Sequence, residues 1–176
     1  MRDDKTCTVR LEVDVQDCGI AHLADQGWDQ YPETPAQSAG IIEVAKRYVA
    51  LEITHQWGPA NFTVTIADRD PGADLTGYED IAEISYVSAS GQVALVGFNY
   101  DNATMSPLPP LPAGPGTYRI RYHVKGMDIE GTLDAVDDHY LQIWPSPLED
   151  PAVVKATTEA LQYLLDPKKH EQSSKS

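Results

Sequence analysis

The sequence is short of cysteine and of positive charge. Its two cysteines, Cys7 and Cys18, are too few for a disulfide framework and, by themselves, for a zinc site. Its 13 basic residues stand against 27 acidic ones, for a net charge of −14. Such a surface disfavours unaided binding to nucleic acid or to an anionic membrane, and it allows a basic protein as a partner.

The sequence also lacks the apolar runs that direct a chain to a membrane or out of the cell. No stretch approaches the roughly 18 apolar residues of a membrane span. The N-terminus carries charges where a secretion signal needs an apolar segment. We therefore expect a cytoplasmic protein with reduced thiols, and a Cys7–Cys18 disulfide is the less favoured alternative.

Familiar catalytic patterns are missing as well. The chain has no G-x-S-x-G elbow and no H-E-x-x-H motif, and none of its five histidines are paired at helical spacing. The glycine-rich residues 114–116 precede a strand pattern, whereas a phosphate site needs a helix N-terminus. The many carboxylates permit a catalytic pair, but nothing in the sequence places two of them together. We assign no catalytic residue, no cofactor and no metal.

The clearest structural signal is a strand at residues 117–126, within the stretch GPGTYRIRYHVKGMD. Side chains alternate between two faces of a strand. One face here is apolar and the other basic: Tyr118, Ile120, Tyr122 and Val124 against Arg119, Arg121, His123 and Lys125. We expect a solvated basic row that pairs across the sheet with acidic neighbours in residues 79–83. The alternative is an anion-binding row.

Further strands are predicted from alternation and from turn residues between them. Their ranges are 6–15, 40–46, 47–57, 61–67, 79–88, 92–98 and 138–144. We expect hairpins at 47–67 and 79–98, because turn residues separate the two strands of each pair. The polar stretch 19–38 is predicted to be a loop, and the proline-rich residues 99–115 to cross from one sheet to another.

A helix is predicted near the C-terminus. Asp150 is a good N-cap and Pro151 a good first residue, and apolar residues recur at helical spacing up to Leu164. The fold class is therefore mainly β: an antiparallel β-sandwich or partly open barrel with one C-terminal α-helix. We expect residues 1–166 to form a single β-rich domain and residues 167–176 a disordered polar tail.

Residues 68–79, which we call the acidic loop, resemble a calcium-binding loop in the spacing of their oxygen side chains. The resemblance fails because Ala73 stands where the tight turn needs glycine, Pro71 interrupts the loop, and strands rather than helices flank it. We predict a solvated turn without a metal ion. The candidate partner-binding residues, chosen for their negative charge, are Asp68, Asp70, Asp74, Glu79 and Asp80.

The stretch GPGTYRIRYHVKGMD, followed by DHYLQIWPSP, resembles the C-terminal half of a group of uncharacterised bacterial proteins that is commonest in actinomycetes. The shared pattern covers about residues 107–147. It implies a bacterial cytosolic protein with a β-rich fold, and the group carries no assigned activity to transfer.

Two functional hypotheses follow. The first is a non-enzymatic protein-interaction module, an immunity or inhibitor protein that binds a basic partner, because the charge suits that role and catalytic motifs are missing. The alternative is a small-molecule or carbohydrate-binding domain, or a hydrolase with an unrecognised carboxylate site. The alternative needs a concave pocket lined by aromatic residues such as Trp28, Tyr31, Trp57 or Trp144. The oligomeric state is not predicted.

Overall fold

The structure, a computed structural model, describes residues 5–16, 19–27, 35–53, 57–97, 105–128 and 138–168. Those ranges contain twelve strands and one α-helix. In chain order they are β1 (Thr6–Gln16), β2 (Ile20–Asp25), β3 (Gln37–Ser38), β4 (Ile42–Val44), β5 (Tyr48–Glu52), β6 (Trp57–Ala67), β7 (Asp80–Ser88), β8 (Val93–Val96), β9 (Met105–Pro107), β10 (Gly116–Lys125), β11 (Asp138–Pro145), β12 (Ala152–Ala156) and α1 (Glu159–Leu165).

The strands form two six-stranded sheets. Sheet A has the order β1-β6-β11-β10-β7-β12, and sheet B has the order β3-β4-β5-β2-β8-β9. Neighbouring strands are antiparallel except for the parallel pair of β11 and β6. The prediction of a mainly β, sandwich-like fold with one short helix is confirmed, and the strands described here do not close into a barrel.

The core lies between the sheets, and β10 supplies its centre. The apolar row of β10, from Tyr118 to Val124, has no exposed surface. It packs with apolar residues of sheet B such as Leu23 and Leu51. Hydrogen bonds also join the sheets: the Tyr122 hydroxyl donates to the carbonyl of Glu52 at 2.8 Å. The alternation read from the sequence therefore identified the buried face of this strand correctly.

Both predicted hairpins are wrong. In the first, β5 belongs to sheet B and β6 to sheet A. In the second, β7 belongs to sheet A and β8 to sheet B. Alternation shows which side chains of a strand are buried, but it does not identify the partner strand. The prediction of a loop over residues 19–38 is also wrong at both ends, because β2 is a central strand of sheet B and β3 is one of its edge strands. Residues 28–34 lie outside the described part of the chain. Residues 108–115 of the proline-rich segment do lead from β9, an edge strand of sheet B, to β10 of sheet A, as predicted. The strand β9 itself lies inside the predicted crossover, and residues 99–104 are outside the described ranges.

The predicted start of the helix is wrong too. Residues 152–156 form β12, which pairs with β7, because the β-branched Val153 and Val154 suit a strand and the edge of β7 offers a partner. The helix α1 begins after its N-cap Thr158, whose hydroxyl accepts a hydrogen bond from the amide of Leu161 at 3.1 Å. No helix in the described ranges has the length and apolar character needed to cross a membrane. Of the predicted tail, residues 167–176, only Pro167 and Lys168 are described, and residues 169–176 lie outside those ranges.

Candidate protein-binding surface

The outer face of sheet A, which points away from the core, carries the basic row of β10. Three of its four residues are buried: Arg119 is 3%, Arg121 6% and His123 0% exposed. The fourth, Lys125, keeps a side chain that is 40% exposed. The prediction of a solvated row is therefore wrong for these three residues, because the acidic loop and residues 146–150 fold back over them. The predicted pairing with acidic neighbours on β7 is confirmed, since both arginines form ion pairs with Glu83.

Arg121 is the centre of the buried polar layer. Its guanidinium donates to Glu83 Oε1 at 2.7 Å, to Gln142 Oε1 at 2.7 Å and to Asp70 Oδ1 at 2.8 Å, and it lies 4.7 Å from the ring centroid of Trp144. The hydrogen bond from Arg121 holds the pKa of Asp70 below its usual value. A buried charge needs such partners, so Arg121 fixes the start of the acidic loop to the sheet.

His123 fixes the middle of the acidic loop. Its Nε2 accepts a hydrogen bond from the amide of Asp74 at 3.1 Å, and its Nδ1 lies 3.2 Å from the carbonyl of Tyr140. Because the first nitrogen accepts, the second carries the proton and donates, so the ring is neutral. Burial lowers the pKa of His123 to about 4. The imidazole therefore stays neutral at physiological pH.

Two further side chains hold the loop by its carbonyl groups. Lys155 Nζ donates to the carbonyls of Leu75 at 2.8 Å and Tyr78 at 2.6 Å, and Gln142 Nε2 donates to that of Gly72 at 2.7 Å. Within the loop, the amide of Gly77 donates to Asp74 Oδ1 at 2.9 Å. This bond is the main reason that the pKa of Asp74 is lowered. The acidic loop is thus anchored by four side chains from three strands.

The candidate partner-binding residues separate into two groups. Asp68 and Glu79 are exposed, Asp74 is half-buried, and the side chain of Asp70 is 52% exposed despite its ion pair. Asp80 has no exposed surface. Its carboxylate accepts hydrogen bonds from the amide of Thr157 at 2.9 Å, and from the amide and hydroxyl of Thr158. Four of the five carboxylates therefore face solvent, and the fifth ties the start of α1 to β7.

A second segment is fixed in the same way, and sequence reasoning missed it. Arg119 donates to the carbonyls of Glu149 at 3.3 Å and Asp150 at 2.9 Å, and Ser85 Oγ accepts from the amide of Glu149 at 3.0 Å. Leu148 is left 70% exposed. The available signal was the pair of prolines at the end of β11, Pro145 and Pro147, which indicates that the strand ends before the apolar and acidic residues 148–150.

Other predicted sites have less support. In the ranges the structure describes, no group of three or more histidine, cysteine or carboxylate side chains is placed to hold a metal ion. Among the aromatics named for a pocket, Trp144 is 5% exposed and lies against Arg121. Trp28, Tyr31 and the side chain of Trp57 are outside the described part of the chain. A cavity of about 510 Å³ near Arg10 includes none of these four among its described lining residues.

No protein-family model matches the chain, and no curated protein does either. Two solved structures resemble it. One is ComJ from Bacillus subtilis, described as an inhibitor of the DNA-degrading activity of NucA. ComJ is 10% identical in sequence, and the match spans 82% of this chain and all of the ComJ chain, with a TM-score of 0.56. The other is the product of crocagin biosynthetic gene J, which is 14% identical in sequence. That match spans 83% of this chain and all of the other, with a TM-score of 0.54. At these identities the likeness shows a shared fold.

Proposed function

We propose that this chain is a non-enzymatic inhibitor or immunity protein that binds a basic protein partner through the acidic loop. The observation that carries the proposal is the anchoring of that loop by Arg121, His123, Gln142 and Lys155. Anchoring fixes the exposed carboxylates before a partner arrives, so binding costs less conformational entropy. A loop that only needed to be soluble would not require four buried or half-buried anchors.

Charge and fold support the same function. The net charge of −14 speeds association with a positively charged protein and suppresses contact with nucleic acid. ComJ, which shares the fold, is described as an inhibitor of a DNA-degrading protein. A nuclease needs positive charge to hold DNA, so an acidic inhibitor is complementary to it. We therefore propose a basic nuclease as the partner class.

Capture at two salt concentrations tests this function. The immobilised protein is exposed to lysate of its own organism at about 50 mM and about 500 mM salt, because salt screens exposed charge pairs, and bound proteins are identified by mass spectrometry. We expect a basic protein that is enriched at low salt and weakened at high salt. If that protein cuts DNA, adding the chain should slow the cutting.

A matched pair of variants locates the contact. The variant Asp68→Asn/Asp74→Asn/Glu79→Gln removes three charges but keeps the hydrogen-bond acceptors, so the loop should remain anchored. The control Glu12→Gln/Asp14→Asn/Asp166→Asn removes three charges elsewhere. We expect the first variant to lose the partner and the control to keep it. Equal capture by the two variants would exclude the acidic loop, and the absence of any basic protein would contradict the proposed function.

A further inference from the structure

Exposed apolar side chains concentrate along one edge of sheet A. Among the described residues, seven large apolar side chains are exposed, and five of them belong to the acidic loop, β7, residues 146–150 or β12. These five are Leu75, Val87, Leu148, Val153 and Val154, and we call them the β12 strip. Solvation of this much clustered apolar surface is unfavourable, and such patches commonly mark interaction sites.

Hydrogen bonds and strand pairing bring the parts of the strip to one edge of sheet A. Lys155 of β12 holds the carbonyl of Leu75 at 2.8 Å, so the tip of the acidic loop lies beside β12. Val153 is paired with β7 through Ala82. At the other end, Ser85 Oγ accepts from the amide of Glu149 at 3.0 Å, which places Leu148 beside β7. The strip therefore follows the edge from the acidic loop to residues 146–150.

Carboxylates border the strip, and the lysine side chain of β12 is already hydrogen-bonded within the protein. Glu149 and Asp150 are exposed at one end, and Asp74 is half-buried at the other. Lys155, the cation on β12, donates to two carbonyls of the loop. An apolar centre with an acidic border is complementary to an apolar patch bordered by lysine or arginine. A second copy of this chain fits poorly, since like carboxylates would meet and both chains are strongly acidic.

We infer that the β12 strip is the apolar centre of the interface, and that the partner presents an apolar patch bordered by basic residues. The inference rests on the proposed function and extends it, because it places the hydrophobic contact on β12 beside the charged contact on the acidic loop. Val153 and Val154 lie between the two ends of the strip, on a strand held by β7, and both are 40% exposed. Apolar anchors of this kind carry a large share of interface energy.

Site-specific photo-cross-linking tests the location. The photoreactive residue p-benzoylphenylalanine replaces Val154 in one sample and, as a control, Thr8 in another. Thr8 is exposed on β1, at the opposite edge of sheet A. The full chain is irradiated in lysate of its own organism at low salt. We expect one discrete adduct from position 154, with a protein of net positive charge, and none from position 8. Equal adducts at both positions, an acidic partner or a dimer of this chain would overturn the inference.

Affinity measurements with the captured partner then separate the two proposals. Val153→Thr/Val154→Thr keeps the β-branched shape but replaces one methyl group of each side chain with a hydroxyl, and we expect binding about tenfold weaker or worse. The control Cys7→Ser places a hydroxyl at an exposed position of β1, at the opposite edge of sheet A, and should leave affinity unchanged. If the acidic-loop variant binds weakly while the β12 variant binds normally, the strip inference fails and the proposed function stands. If no basic protein is captured at all, both fail.

Discussion

Among the described residues, ionisable groups on the outer faces of the two sheets lie in opposite environments, with many polar partners on sheet A and few on sheet B. On sheet A, Arg121 and His123 are buried under the acidic loop, and hydrogen bonds of 2.7–3.2 Å join them to acceptors and donors. On sheet B, Glu43 and Glu52 lie half-buried on neighbouring strands. Burial, and then the charge of Glu43, raises the pKa of Glu52 to about 7. A buried charge is stable where partners surround it, and otherwise it shifts towards its neutral form.

The difference bears on function. The paired layer of sheet A turns a polar loop into a fixed surface, and this is the surface we propose for partner binding. The outer face of sheet B has no comparable ion pair in the described residues, so it offers no equivalent platform there. Four predictions test this contrast, from the largest expected effect on stability to the smallest.

Replacing Arg121 should have the largest effect. Arg121→Met leaves Asp70, Glu83 and Gln142 without their shared donor, and breaking a buried ion pair from one side costs about 3–5 kcal/mol. The control residue Arg10 is exposed on the same sheet, and Arg10→Met should change the free energy of unfolding by no more than about 0.5 kcal/mol. Urea unfolding measures both. If the two variants lost equal stability, the buried layer would not be the main support of the acidic loop.

Acid should weaken sheet A through His123. Its folded pKa, about 4, lies below the unfolded value of about 6.5, so the unfolded chain takes up the proton first as pH falls. The contribution of neutral His123 to the free energy of unfolding is present above pH 6.5. It is lost as pH falls towards 4, by up to about 3 kcal/mol. In a plot of the free energy of unfolding against pH, His123→Gln should reduce the slope in this window by up to about 1.4 kcal/mol per pH unit.

His22 on sheet B provides the control for that prediction. Burial lowers its pKa to about 4 as well, so His22→Gln should flatten the same curve in the same window. Hydrogen exchange distinguishes the two histidines. Lowering the pH should release the amide of Asp74 in the wild type and in the His22 variant, because protonated His123 can no longer accept its hydrogen bond. Protection of Asp74 that did not change with pH would contradict this account.

Some of this contrast was available from the sequence. The alternation of β10 identified its buried face and its basic row, because a period of two depends only on local geometry. It did not show that the basic row would be covered, since the cover comes from the acidic loop and from residues 146–150, which are distant in sequence. The charges of Asp70 and Asp80 look alike in a sequence. Only the fold places one beside Arg121 at the surface and the other beneath Thr158.

A smaller effect is expected on sheet B from Glu52. Its folded pKa of about 7 exceeds the unfolded value, so the folded protein holds the proton more tightly. The contribution of protonated Glu52 to stability is fully present below pH 4.5 and is lost as pH rises through 7. Glu52→Gln should therefore stabilise the protein at pH 8 by about 1–2 kcal/mol, a value reduced because the group is partly solvated. Thermal unfolding at pH 5 and pH 8 tests this, and a gain that did not depend on pH would point to another cause.

The smallest effect on stability is expected at Lys155. Lys155→Met removes two hydrogen bonds to the carbonyls of Leu75 and Tyr78, but the methionine chain preserves the packing of the stem, and the carbonyls can bond to water. The loss should be about 1 kcal/mol or less. The local effect should be clearer: amides from residue 75 to 78 should exchange faster while β10 stays protected. If exchange rose equally in β10, Lys155 would support the whole sheet rather than the loop alone, and the acidic loop would not be a separately anchored surface.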